Sequence, residues 1–406
     1  ADGSLSYVIN GLAQKGLHKI DGNYYLFDYN GHALKGKKYA AETHCDLPIG
    51  EYYFGENYKA LNGLVEMNGK LHYFENGKTK TKGLVKIGED YYFAGAADGE
   101  IIVNQKKYVW EGNGLLPEKE YEFGPDGKML NGIVEKDGVL YYYETGMPKT
   151  AGLLKIGEDF YFACGSNGEL AVNEKRYVWK TNGYLTEDDY EFGPDGKMLD
   201  GFVEKDGELY YYETGMPMES GLFKLGDDYY FAVNSKGKLA VNESRYILNT
   251  NGLLSAGSYE FGPDGKMLNG IVNKDGVLYY YKNGKPNTAG LVKIGEDYYF
   301  AGGSGGEIAV DERRYVWNGN GYLPEAEYDF GPDGKMRHGF FEKNGIKYYF
   351  VNGNPAKTGL NYVDGYYYFV YPDGSLIVNQ KHYAWETNGL SVEMEYIYNE
   401  NGQIIG

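Results

Sequence analysis

The chain has 406 residues and a net charge of −18, with 61 glycines and 45 tyrosines against 12 prolines. Its acidity argues against nucleic acid and against an anionic membrane face, both of which need clustered Lys and Arg, and its aromatic content argues against a disordered tract. No run approaches the ~18 apolar residues of a membrane span. The two cysteines, Cys45 and Cys164, occupy different places in the repeat described next, which predicts two unpaired thiols.

One heptapeptide, Phe-Gly-Pro-Asp-Gly-Lys-Met, stands at Phe123–Met129, Phe192–Met198, Phe261–Met267 and Phe330–Met336, each copy 69 residues after the last. Degenerate copies begin at Phe54 and Tyr398. A fixed period over a whole chain marks a stacked repeat protein. The organisation read from it is a partial unit 1–61 followed by units 62–130, 131–199, 200–268, 269–337 and 338–406, in one continuous array. The chain begins in mid-repeat and carries no signal peptide, so it reads as a piece of a longer protein.

Each unit divides into three parts. In the unit 131–199 the first part, 131–150, has two short β-branched and aromatic runs around Lys136-Asp137-Gly138, a hairpin signal. The second part, 151–172, repeats that plan from Gly152 to Phe162. The third, 173–199, runs through Arg176-Tyr177-Val178-Trp179, a turn at Thr181-Asn182-Gly183, and Tyr190-Glu191-Phe192. Turns recur too often for helices. A lone hairpin is marginal in water, so its aromatic face must be covered by the next one. The fold class predicted is all-β: an elongated solenoid of stacked β-hairpins, with ring-lined grooves between turns.

The Gly-hydrophobic-Gly-Tyr-Tyr-Phe-Gly pattern resembles the cell-wall-binding repeat superfamily. That superfamily includes choline-binding repeats, the glucan-binding repeats of glucansucrases and the receptor-binding repeats of large clostridial toxins. The likeness covers essentially the whole chain. The mixture of two short parts and one long part is most similar to the toxin repeats, where an Arg-Tyr pair precedes a Tyr-Tyr-Phe-Gly strand. The resemblance implies a glycan site beside each long part: Lys107, Tyr108 and Trp110; Arg176, Tyr177 and Trp179; Arg314, Tyr315 and Trp317; and Tyr383 and Trp385, where His382 replaces the basic residue. The third complete unit keeps Arg245 and Tyr246 but has Leu248 for Trp.

From the residues alone, each Trp has two readings. An exposed indole offers a sugar a flat face, with a basic group nearby for its hydroxyls; a covered indole simply caps a hairpin. Most Tyr residues read as core. Four Trp are too few for dense choline cages, although cages of Tyr alone remain open. The paired carboxylates, such as Glu158-Asp159, read as solvated turn residues rather than the facing pair a glycosidase needs. The six His show no ligand spacing, and no calcium-loop pattern occurs, so no metal, cofactor or catalytic residue is expected. The expected function is noncatalytic, multivalent attachment of a secreted or cell-surface bacterial protein to a glycan polymer or clustered oligosaccharide, with no nucleic acid and no membrane insertion. The alternatives are a choline-type wall anchor and a rigid stalk or protein-binding adhesin.

Overall fold

The computed structural model describes residues 5–80, 83–95, 98–110 and 113–406. The described chain is all-β, built of short antiparallel hairpins, and its one helical turn is a 3-10 segment at Lys180–Asn182. Among the described residues no helix is long and apolar enough to cross a membrane. Two compact units form, one of residues 1–199 with 214–216, the other of 200–213 with 217–406. Each is a solenoid of stacked β-hairpins.

The unit 1–199 shows the plan in its last three hairpins. Gly132–Lys136 pairs with Val139–Glu144, Gly152–Ile156 with Asp159–Cys164, and Glu174–Val178 with Asp188–Phe192. The first turn has positive φ at Asp137 (51°) and Gly138 (78°), as a two-residue type I′ turn requires. The segment Glu169–Leu170 pairs with both of the first two hairpins and ties them into one sheet. In the unit 200–406 the segment Glu307–Ile308 does the same.

The heptapeptide is the joint of the stack. Its Phe is buried in all four copies. Gly124 N–H donates to Lys128 O at 2.7 Å and Lys128 N–H to Asp126 Oδ1 at 3.0 Å, which closes the Pro-Asp-Gly turn. Met129 N–H then reaches Tyr91 O of the preceding hairpin at 2.8 Å, and Lys128 Nζ pairs with Asp90 at 2.7 Å. The Met side chain lies beneath the glycine of the next hairpin, Gly146 in this copy. Beside it, buried Tyr121 donates its phenol to Pro117 O at 2.8 Å; Tyr190 and Tyr328 make the same bond to Thr186 O and Pro324 O. These rings fill the core without stranding a hydroxyl.

A polar cluster recurs at this joint. Glu122 accepts from Lys136 Nζ at 2.5 Å and from Tyr143 Oη at 2.8 Å, and Lys136 also bonds Tyr143. Glu260, Lys274 and Tyr281 form the same cluster in the other unit. Burial pushes the Glu122 carboxyl up, but the Lys136 and Tyr143 bonds outweigh it and hold it below its ordinary value. A lowered folded value means that the unfolded chain takes up the proton first as pH falls. The contribution is complete above the ordinary carboxylate range and lost as pH drops through the folded value. Glu122→Gln is expected to cost about 1–3 kcal/mol at neutral pH. It should also flatten the fall in urea midpoint between about pH 5 and pH 3; an unchanged acid limb would contradict this.

Both cysteines are free thiols. Burial pushes the Cys164 thiol up to about 11. Its alkylation at pH 8 should therefore run roughly a hundredfold slower than that of an ordinary exposed thiol. Mass spectrometry of peptides after timed iodoacetamide treatment checks this; labelling at the ordinary rate would refute it.

Candidate functional site: the outer face of the third hairpin

Period-two alternation splits the residues of each third hairpin between its faces. In Glu174–Val178, Val178 is buried, and Arg176 lies opposite buried Tyr190 on that same face. Tyr177 lies on the other face, opposite Asp189. The structure therefore brings Tyr177 and Trp179 together and turns Arg176 away from them. Arg176 is held by Glu174 at 2.7 Å, and Arg314 and Arg245 by Glu312 and Glu243 at 2.7 and 2.9 Å. Lys107 likewise lies opposite buried Tyr121, on the face away from Tyr108. Arg245 lines a groove of about 480 Å³ with Glu204, Glu208, Lys238 and Glu243, while Tyr246 points away from it, opposite Ser258.

The outer face carries a recurring trio. Trp110, Trp179 and Trp317 are 67, 66 and 71% exposed. Each meets its Tyr edge-to-face, with centroids 4.8, 4.8 and 4.7 Å apart for Tyr108, Tyr177 and Tyr315. Each Tyr donates its phenol to a carboxylate across the hairpin: Tyr108 to Glu118 at 2.6 Å, Tyr177 to Glu187 at 2.5 Å and Tyr315 to Glu325 at 2.5 Å. The hydrogen bond to Glu187 pushes the Tyr177 phenol up to about 12, and Tyr108 and Tyr315 are raised for the same reason. These phenols stay protonated and their rings are fixed. The second carboxylate oxygen is left to accept from a ligand hydroxyl.

The loop that follows holds the indole outward. Asn182 donates to Trp179 O and Leu185 O at 2.7 and 2.9 Å and accepts from Tyr184 N–H and Leu185 N–H at 2.7 Å each. Asn113 and Asn320 make the same four bonds. The loop is thus closed on itself and rests on the second hairpin through Tyr184 against Phe160, at 5.9 Å.

Elsewhere the same asparagine does something different. Asn251 reaches back to Leu222 O at 2.8 Å, and Asn388 to Thr358 O and Leu360 O at 3.0 and 2.8 Å. These loops are drawn down onto the preceding hairpin. Trp385 accordingly packs on Phe369 at 5.5 Å and is only 48% exposed. His382 turns to the core side against the same Phe369, away from Tyr383.

The carboxylate partner was missed by sequence reasoning, although comparison of the repeats carries it. Glu118, Glu187, Glu325 and Glu393 accompany the four Trp; where Trp gives way to Leu248 or Ala41, the carboxylate position holds Ala256 or Ile49. Trp and Glu come and go together.

The fold and this face define an all-β repeat protein that presents paired aromatic rings beside carboxylates. Compared with known proteins, the chain is 24% identical to glucosyltransferase-I of Streptococcus downei over 461 residues, covering 96% of this chain and 27% of that protein. It is 26% identical to glucosyltransferase-S of Streptococcus mutans over 266 residues, covering 58% of the chain and 17% of that protein. The chain thus corresponds to about a quarter of the length of glucosyltransferase-I. Among solved structures, choline binding protein F of Streptococcus pneumoniae is 22% identical, covers 85% of this chain and all of that one, and superposes with a TM-score of 0.26. No protein-family profile matches the chain. The two glucosyltransferases are of the kind whose repeats the sequence pattern resembles.

Proposed function

We propose that this chain is a noncatalytic carbohydrate-binding repeat region that attaches a secreted or surface protein to a polymeric or clustered glycan. The observation that carries the reading is the exposed Tyr–Trp pair with its carboxylate, built alike at Trp110, Trp179 and Trp317. A sugar ring lies on the indole, and its hydroxyls donate to the glutamate. Lys107, Arg176 and Arg314 fall outside this contact because they lie on the opposite face. Trp385 and Tyr383 form a weaker member, and Arg245 with Tyr246 lacks the platform. Weak sites on one chain gain roughly 10²–10⁴ by avidity on a polymer. Similarity to two glucosyltransferases makes glucosyl polymers the first ligand to test.

The carboxylate beside the rings favours one second reading, a quaternary ammonium group in place of the sugar. An array of α-glucans, mucin-type and galactose-terminated oligosaccharides and choline decides between them. Retention on glycan spots supports the first reading and choline-only retention the second. A blank array overturns both and leaves a rigid stalk or protein-binding adhesin.

A further inference from the structure

The repeats differ at one half-buried position in a way that the aromatic face does not explain. The first hairpin of each complete unit carries Tyr at 141, 210, 279 and 348, but His at 72. This residue bridges to the segment that follows the second hairpin: His72 to Glu100, Tyr141 to Glu169, Tyr210 to Lys238, Tyr279 to Glu307 and Tyr348 to Ser375. The facing residue two positions earlier is Asp98, Asn167, Lys236, Gly305 or Asp373. Only opposite the histidine do both facing positions hold carboxylates.

The backbone fixes this meeting. Tyr73 N–H donates to Gly99 O at 2.9 Å and Ile101 N–H to Leu71 O at 2.7 Å, locking the segment 98–101 across the strand Lys70–Glu75. Gly99 sits at φ +78° with Tyr73 O only 2.8 Å from where a Cβ would stand, so the close approach needs glycine. One ring nitrogen of His72 and one carboxylate oxygen each of Asp98 and Glu100 lie within 4.8 Å of one another. His72 is 9% exposed, and its Nδ1 contacts Lys70 O at 3.1 Å. A carbonyl only accepts, so Nδ1 is the donor in this contact and Nε2 is the ring nitrogen left to meet an ion. That is the second-sphere bond that a metal-binding imidazole normally has.

We infer that His72, Asp98 and Glu100 form a binding site for one borderline divalent cation of the zinc class. Imidazole and carboxylates together suit that class, with water completing the coordination. Bonds of about 2.0–2.2 Å set tetrahedral ligand atoms roughly 3.4 Å apart. The carboxylates close that gap by rotation, since Asp98 is exposed and Glu100 is long. Lys70 Nζ, now 2.8 Å from Glu100 and 60% exposed, swings out to water when the ion enters. The ion would then pin the first hairpin of this unit to the segment after the second. Sequence spacing hides such a site because its ligands come from separate hairpins.

The test is calorimetric titration of the whole chain with ZnCl₂ beside two variants. His72→Tyr installs the residue that the other repeats carry, and Asp98→Asn changes an exposed turn. The expected result is one equivalent of Zn²⁺ bound by the parent chain and weakened at least tenfold in both variants, with Ca²⁺ giving no comparable heat. A parent chain that takes up no Zn²⁺ at millimolar concentration overturns the site. So does an uptake that both variants leave unchanged, since the metal would then sit on other histidines. Glycan binding is scored separately and does not bear on either outcome.

Discussion

Replacing Trp110, Trp179 and Trp317 together by Ala is expected to lower retention on the glycan polymer at least about a hundredfold, the low end of what avidity supplies. The fold should be untouched. All three indoles are two-thirds exposed or more, and surface truncations of this kind usually stay within about 0.5 kcal/mol. Far-UV circular dichroism and the urea midpoint should therefore overlay those of the parent chain. Each single variant loses far less, because the remaining platforms still hold a polymer. Trp385→Ala gives the contrast: its indole is packed on Phe369, so its loss should show in stability before it shows in retention. Glu187→Gln should weaken a monovalent sugar at that platform more than it disturbs the hairpin. A triple variant that still binds as the parent does would remove the outer face from consideration.

The repeat and its hairpins were legible because the signals are local. Alternating rings set the strands, Asp137-Gly138 sets a turn with two positive φ values, and the period repeats the message. The grouping of Arg176 with Tyr177 and Trp179 went astray for an equally local reason. Neighbours along a strand point to opposite faces, so chain adjacency separates them in space. The apolar Val178 between Tyr177 and Trp179 marks the core side of that strand, which sets Arg176 with the core and the two rings outward. The state of the loop was not readable at all. Asn182, Asn251 and Asn388 are the same residue at the same place, and one closes its own loop while the others bond the preceding hairpin. The acceptors in both states are backbone carbonyls that every repeat carries, so the asparagine itself does not signal which of them it takes.

How tightly successive hairpins are stacked can be measured at one atom. Gly284 follows the strand Val277–Lys282 with φ +70°. A Cβ there would stand 2.6 Å from Met267 Cγ, 3.0 Å from its Sδ and 3.1 Å from Tyr259 Cβ, so the heptapeptide Met of the third hairpin fills the space beneath it. The main chain cannot retreat easily, since Gly284 N–H is bound to Leu268 O at 2.7 Å and Gly284 O accepts from Glu260 N–H at 2.8 Å. Gly284→Ala therefore carries two costs: about 1–2 kcal/mol for a side chain in the left-handed region and about 1–3 kcal/mol for overpacking. Gly276 separates them. It has φ +86° in the turn of the same hairpin, and nothing lies within 4 Å of its Cβ position. Gly276→Ala should show only the backbone cost. Urea unfolding and hydrogen exchange across residues 257–286 should place Gly284→Ala below Gly276→Ala by the overpacking cost, with protection lost on both sides of the joint. Equal losses would mean that Met267 yields freely and that the stack is held by its backbone bonds rather than by the fit of methionine beneath glycine.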